Sequence, residues 1–291
     1  MNELLIYSID NAGGSFCLLY HILIRTIYFT SFWLLYDKNS FGGLKMIKLF
    51  KIFFIIALTI ATASMLYSHA SWIKIDSVDK NSKTIFLKIA HGHAFPEGGH
   101  KLNAEFVKLF TVDDSGKKAS IPLDKSGDGL SASLNMQNSG TSRLCFTYLK
   151  GIMSKTTRGW KQGGKDLYPD AIQRMMQVVT GNAVYGSGIK ELKKMSPSGL
   201  PVELLLEESG KTITLTLYKD SKPYPNANVY VQLPGKEEAL IGKTDAKGTV
   251  KTVPPAQKGE MLFVADFKIE YPAGSDVNYE NYSSSLYLRL E

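Results

Sequence analysis

Apolar and polar positions alternate along most of this chain. Ile73 and Ile75 alternate with Lys74 and Asp76, and Ile85, Leu87 and Ile89 recur at every second position. A period of two is the mark of a half-buried strand, so residues 72–78 and 84–90 are predicted as strands joined by a turn at 79–83. Further strands are expected at 105–112, 130–136 and 142–149, and the Gly- and Lys-rich residues 155–165 read as a loop. The period then changes. Ile172, Met175, Met176 and Val179 recur at i, i+3, i+4 and i+7, with Pro169 suited to a first helical position and Gly181 to a stop. This spacing predicts the chain's one helix, its methionines packing into a core.

Ser196, Pro197, Ser198, Gly199, Leu200 and Pro201 read as a boundary. Beyond it strands are expected at 202–207, 212–218, 227–233, 239–244, 249–253, 260–270 and 283–290, with turn signals at 222–225 and 245–248. Short strands at this spacing predict a β-sandwich. The expected fold is therefore all-β: two Ig-like β-sandwich domains, over 69–200 and 201–291, with one short helix.

The N-terminal part has its own pattern. Met46, Lys48 and Lys51 open a short basic segment, residues 52–63 are almost wholly apolar, and 64–70 are rich in small residues. That order is a secretory signal peptide, expected over 46–68, with an apolar run short for a membrane span. The protein is accordingly expected to be exported to the periplasm, touching a membrane only through an uncleaved leader. Residues 1–45 hold a second apolar run, 16–36, interrupted by His21 and Arg25. It is either an extra membrane helix, which those residues make costly, or an extension upstream of a true start at Met46, the reading preferred here. Cleavage after Ser68 would make His69 the first mature residue; cleavage after Ala70 would remove it.

Composition bounds the rest. The chain is 44% hydrophobic and 21% charged, enough for one or two real cores. Its net charge is +7, but lysines alternate with acidic residues, and no nucleic-acid partner is expected. Of the two cysteines, Cys17 and Cys145, only Cys145 lies beyond the leader, so no intrachain disulfide is expected; Cys145, in an apolar strand, reads as a small buried hydrophobe. No Gly-x-Ser-x-Gly, His-Glu-x-x-His or phosphate-loop motif is present, and the expected role is non-catalytic.

Four of the five histidines fall between His69 and His100. Imidazole suits Ni(II), Co(II), Cu(II) and Zn(II). His91 and His93 share a face if their strand continues, and His69 would supply a third ligand from a neighbouring strand. As a free N-terminus, His69 would chelate Cu(II) or Ni(II) through amine and ring together. His100 and Glu97 are further candidates in the Gly-rich loop, and Asp76 a weaker one. The competing reading is that these are ordinary strand-end histidines and Trp72 a core anchor.

His69, Ala70 and Trp72 after a leader, with a strand ending in Gly92, His93, Ala94, Phe95 and Pro96, resemble the DUF4198 family of exported proteins. Leu200, Pro201, Val202 and Glu203 are similar to that family's Gly-x-Pro-hydrophobic-Glu segment. Lys222, Pro223, Ala227 and Val229, with Thr244, Asp245 and Gly248, are similar to its carboxypeptidase-regulatory-like sandwich. Members are labelled periplasmic components of nickel or cobalt uptake. The resemblance thus implies a metal-binding protein carrying Ni or Co to an inner-membrane transporter, and the histidine chemistry adds Cu as a third candidate. Two other functions are weighed: a non-catalytic envelope or carbohydrate-binding module using Tyr271, Tyr279, Tyr282 and Tyr287, and an oxidative enzyme built on a copper brace at His69.

Overall fold

The structure is a computed structural model. It describes residues 70–113, 115–125, 129–135, 143–186, 194–208, 212–253 and 259–290. The expected extension, the expected leader and His69 lie outside the described residues. Ser68–Glu291 forms one compact unit.

Three sheets stack in this unit. The first orders β1 (Ala70–Asp79), β2 (Thr84–Gly92) and β5 (Leu130–Asn135) as antiparallel neighbours. The second is the central sheet. From one edge it runs β13 (Ala239–Lys243), β12 (Asn228–Gln232), β15 (Gly259–Glu270), β16 (Tyr279–Leu290), β8 (Gln173–Gly186), β6 (Arg143–Thr156), β3 (Val107–Val112) and β4 (Lys118–Ile121). A short strand, β7 (Gly159–Gln162), pairs with the end of β6. In the third sheet β10 (Ile213–Lys219) holds β9 (Val202–Glu208) on one edge, with β11 (Lys222–Pro223) and β14 (Thr249–Thr252) on the other.

The all-β expectation holds, and the first and third sheets each pack on the central sheet as a sandwich. The two sandwiches share the central sheet: β8, from before residue 201, pairs in parallel with β16, from after it. This seam is covered on both faces. Val179 and Ala183 of β8, Leu262 and Val264 of β15, and Tyr287 of β16 face the core under β1 and β2. The alternate residues, including Val178, Phe263, Leu286 and Leu288, face the core under β9 and β10. Burial on both faces is what a parallel pair demands, and β16 is buried without a break from Tyr282 to Leu288.

Polar residues in this dry seam are matched to backbone groups of β9. Thr180 Oγ1 donates to the Val202 carbonyl, Asn182 Nδ2 to the Leu204 carbonyl at 3.4 Å, and the Leu204 N–H donates to Ser284 Oγ at 2.8 Å. The edge of β9 turned away from β10 thus finds partners in side chains of the central sheet, satisfying groups that burial would otherwise make costly. Glu203, fully buried, ties the two halves further. Its carboxylate accepts from the Ser198 N–H, the Ser198 hydroxyl and the Leu200 N–H, each at 2.9 Å, and pairs with Arg143 of β6 at 3.4 Å.

The expected helix is a correction. Residues 173–186 are strand β8, and the described residues hold only a short 3-10 turn, Ala104–Phe106, in the way of helix. Met175 and Val179 lie on one face of β8 and Met176 and Val178 on the other. A spacing that fits a helix also fits a strand buried on both sides, and the ladders offered by β6 and β16 decide the outcome. Gly181 does not end a helix. It sits mid-strand where a Cβ would overlap the Phe146 ring and the Ser285 hydroxyl. Residues 155–165 also depart from the expected loop, because β6 continues to Thr156 and turns back as β7. Cys145 is wholly buried, and burial pushes its thiol up to about 12.

Two substitutions test this arrangement. Gly181→Val should destabilise the protein by about 2–3 kcal/mol through overpacking against Phe146, and Glu203→Ala by about 3 kcal/mol by leaving Arg143 and the 198–200 backbone without their acceptor. Urea unfolding midpoints measure both; wild-type midpoints would contradict the packing described.

Candidate metal centre

The histidines sit where β1 and β2 end together. The ladder pairs Ser71 with His91 and Ala70 with Gly92. After Gly92 the chain leaves the strand and loops back, with the Gly98 N–H donating to the Ala94 carbonyl at 2.6 Å and the His100 N–H to the His91 carbonyl at 3.0 Å. The return needs glycine at two points. Gly92 has φ +138° and its missing Cβ would meet the Gly98 and Gly99 backbone and the His100 ring at 3.2 Å; Gly98 has φ +85°, against the His91 carbonyl at 2.9 Å.

The loop is anchored from below and from the side. Trp72, fully buried as expected, donates through Nε1 to the Pro96 carbonyl at 3.2 Å and meets the Phe95 ring edge-on at 5.7 Å. Phe95 in turn meets Tyr287 of the central seam at 6.2 Å. Gln232 of β12 donates to the His93 carbonyl at 2.8 Å, and the Gly235 N–H to the Phe95 carbonyl at 3.3 Å. Each sandwich thus holds one side of the loop.

This closure gathers three imidazoles. The His100 ring centroid lies 6.0 Å from that of His91 and 6.3 Å from that of His93, and His91 meets Tyr148 of β6 edge-on at 6.4 Å. His91 Nδ1 is 3.0 Å from the Ala70 carbonyl and 2.9 Å from Ser71 Oγ. A carbonyl only accepts, so Nδ1 carries the proton and Nε2 the lone pair. Burial, and then the charge of His100, hold the His93 imidazole below the ordinary histidine range, favouring its neutral, ligating form.

The other candidates are placed differently. Glu97 is ion-paired with Lys74 at 2.7 Å, and Lys74 also reaches Asp76 at 3.4 Å. Burial opposes the charge of Lys74, yet the hydrogen bond to Glu97 and the field of Asp76 outweigh it and raise the ammonium above the ordinary lysine range. Asp76 is held by Lys88 as well, at 3.0 Å. His69, on which the copper brace depends, lies outside the described residues. Of the tyrosines expected to form a binding surface, Tyr282 and Tyr287 are buried, leaving Tyr271 exposed and Tyr279 half-buried. Ser71, Tyr148 and Gln232 were not foreseen as part of the site; only the Ser71–His91 register, implied by the β1–β2 turn, had a signal in the sequence.

Two imidazoles sharing an ion at ~2.1 Å per metal–nitrogen bond have ring centroids about 4.5 Å apart at right angles and about 6.5 Å apart when opposed, and both His100 distances lie toward the wide end. Among the described residues no three His, Cys, Asp or Glu side chains already converge as a ligand set, so a shared ion would require rings to turn about their side-chain torsions. The residue types and spacing fit a borderline transition-metal ion held by imidazole nitrogen.

Comparison with known proteins adds family membership. No curated protein matches the chain. One similar solved structure is described as the crystal structure of a tetra-tandem repeat in the extending region of a large adhesion protein. It is 14% identical, with a TM-score of 0.20, over 77% of this chain and 50% of that one. The chain spans about half the length of that structure. The family model described as Domain of unknown function (DUF4198) matches residues 66–269, and on that match the chain belongs to the DUF4198 family.

Proposed function

We propose that this protein binds a transition-metal ion, Ni(II), Co(II) or Cu(II), in the periplasm and passes it to an inner-membrane transporter, with the metal as cargo and no catalytic step. The observation that carries the reading is the loop closure that brings His100 beside His91 and His93. His91, His93 and His100 would supply imidazole nitrogens. The Ala70 carbonyl fixes the tautomer of His91, as outer partners of metal-ligating histidines do. His69 would add a ligand if export leaves it at the start of the mature chain. Glu97 enters only by exchanging Lys74 for the metal. A loop of this kind, backed by a rigid sheet but itself outside the ladders, suits an ion that must be released as well as captured.

His91→Ala combined with His93→Ala should abolish tight binding of one Ni(II), Co(II) or Cu(II) per chain while the chain still folds, at a cost of about 1 kcal/mol for the His91 hydrogen bonds to Ala70 and Ser71. Native mass spectrometry after metal challenge reads the stoichiometry. The same stoichiometry in the double variant would remove the assignment.

Protons compete with the metal for each imidazole. Because His93 is held below its ordinary value of 6.5, it keeps its lone pair at neutral pH. Occupancy should therefore stay constant near neutrality and fall only as pH drops below 6.5. Loss already above neutral pH, or full retention under strongly acidic conditions, would contradict imidazole ligation. Dialysis against buffers of graded pH, followed by metal analysis, distinguishes these outcomes.

A further inference from the structure

Far along the central sheet from β13, the chain from Lys150 to Lys165 carries five basic residues, Lys150, Lys155, Arg158, Lys161 and Lys165, and no acidic one. The sequence pattern predicts a loop over residues 155–165. The structure turns it into an ordered hairpin. β6 and β7 pair Lys155 with Trp160 and Ser154 with Lys161, and Arg158 lies in the turn between Thr156 and Gly159. The turn is fastened by the Thr156 hydroxyl donating to the Gly159 carbonyl at 2.9 Å. Arg158, Gly159, Trp160, Lys161 and Gln162 are all exposed.

Large apolar side chains stand beside these cations. Trp160 is 39% exposed, Leu167 69% and Ile172 67%. They belong to the same end of the sheet. The Ile172 N–H donates to the Lys155 carbonyl at 2.8 Å, and the Gly163 N–H to the Ile152 carbonyl at 2.8 Å. Leu167 packs over Gly163, where a Cβ would meet Leu167 Cδ1 at 2.7 Å. Asp166 and Asp170 follow in the same loop, so residues 150–170 carry five cations against two carboxylates.

A purely solvated hairpin has no use for exposed Leu, Ile and Trp, and a nucleic-acid groove would pair its cations with stacking aromatics rather than aliphatic side chains. Cations that share one hairpin and loop with an exposed tryptophan and two exposed aliphatic side chains match the boundary between anionic headgroups and acyl chains. We infer that the β6–β7 hairpin and the loop before β8 form a peripheral docking surface for an anionic phospholipid membrane. The inference does not rest on the metal reading.

The test uses the full chain with vesicles of phosphatidylglycerol and phosphatidylcholine, compared with phosphatidylcholine alone, at about 0.1 M salt where surface charge is only partly screened. Wild type and the triple variant Lys155→Gln, Arg158→Gln, Lys161→Gln carry the same N-terminal residues, so the difference between them isolates the hairpin. The phosphatidylglycerol-dependent partitioning should fall at least about tenfold in the triple variant. The single Arg158→Gln change, confined to the exposed turn, should give a smaller loss in the same direction. Trp160 emission should move to shorter wavelength on binding, a shift that Trp160→Ala removes. Equal phosphatidylglycerol-dependent partitioning in wild type and both charge variants would overturn the inference. So would a loss confined to single-stranded oligonucleotide binding with vesicle binding unchanged.

Discussion

Two strands that pair in parallel at the middle of a sheet must be covered on both faces, and the pairing of β8 with β16 imposes that requirement on the whole molecule. One face is met by β1 and β2, the other by β9 and β10. Small and hydroxyl-bearing residues keep the layers close: Gly181 seats the Phe146 ring, while Thr180, Asn182 and Ser284 meet backbone groups of β9. Neither sandwich is complete without the strand that the other half supplies next to it.

The histidine loop inherits its shape from that seam. Tyr287 of β16 supports Phe95, Phe95 supports Trp72, and Trp72 holds the Pro96 carbonyl. Gln232 reaches the same loop from β12 across 139 positions of sequence. The three imidazoles are therefore gathered by backbone closure on a rigid platform. The cationic hairpin lies outside the sandwich cores, its β6 strand held between β7 and β8, and its Arg158, Trp160, Lys161 and Gln162 are exposed.

Much of this was legible in the pattern of the chain. Strands at 72–78 and 84–90 stand within two residues of their observed limits, most plainly in β2, where one face is buried and the other is not, which writes a clean alternation. Trp72 and Cys145 were readable as core residues for the same reason. Strand β8 was not legible as a strand. Buried on both faces, it has no polar side to write an alternation, and its apolar positions fell by chance on a helical spacing. The site was legible in part. Clustered histidines and glycines mark the loop, but the partners that shape it, Gln232, Tyr148 and Tyr287, come from distant strands and leave no local signal.

The central claim is that His91, His93 and His100 act together on one ion. X-ray absorption spectroscopy of the protein loaded with one equivalent of Ni(II) tests this most directly, because imidazole rings give outer-shell scattering that carboxylates and water do not. The account predicts scattering from more than one imidazole, lost when His100 and His93 are replaced together. A first shell of oxygen alone, with no imidazole contribution, would contradict it.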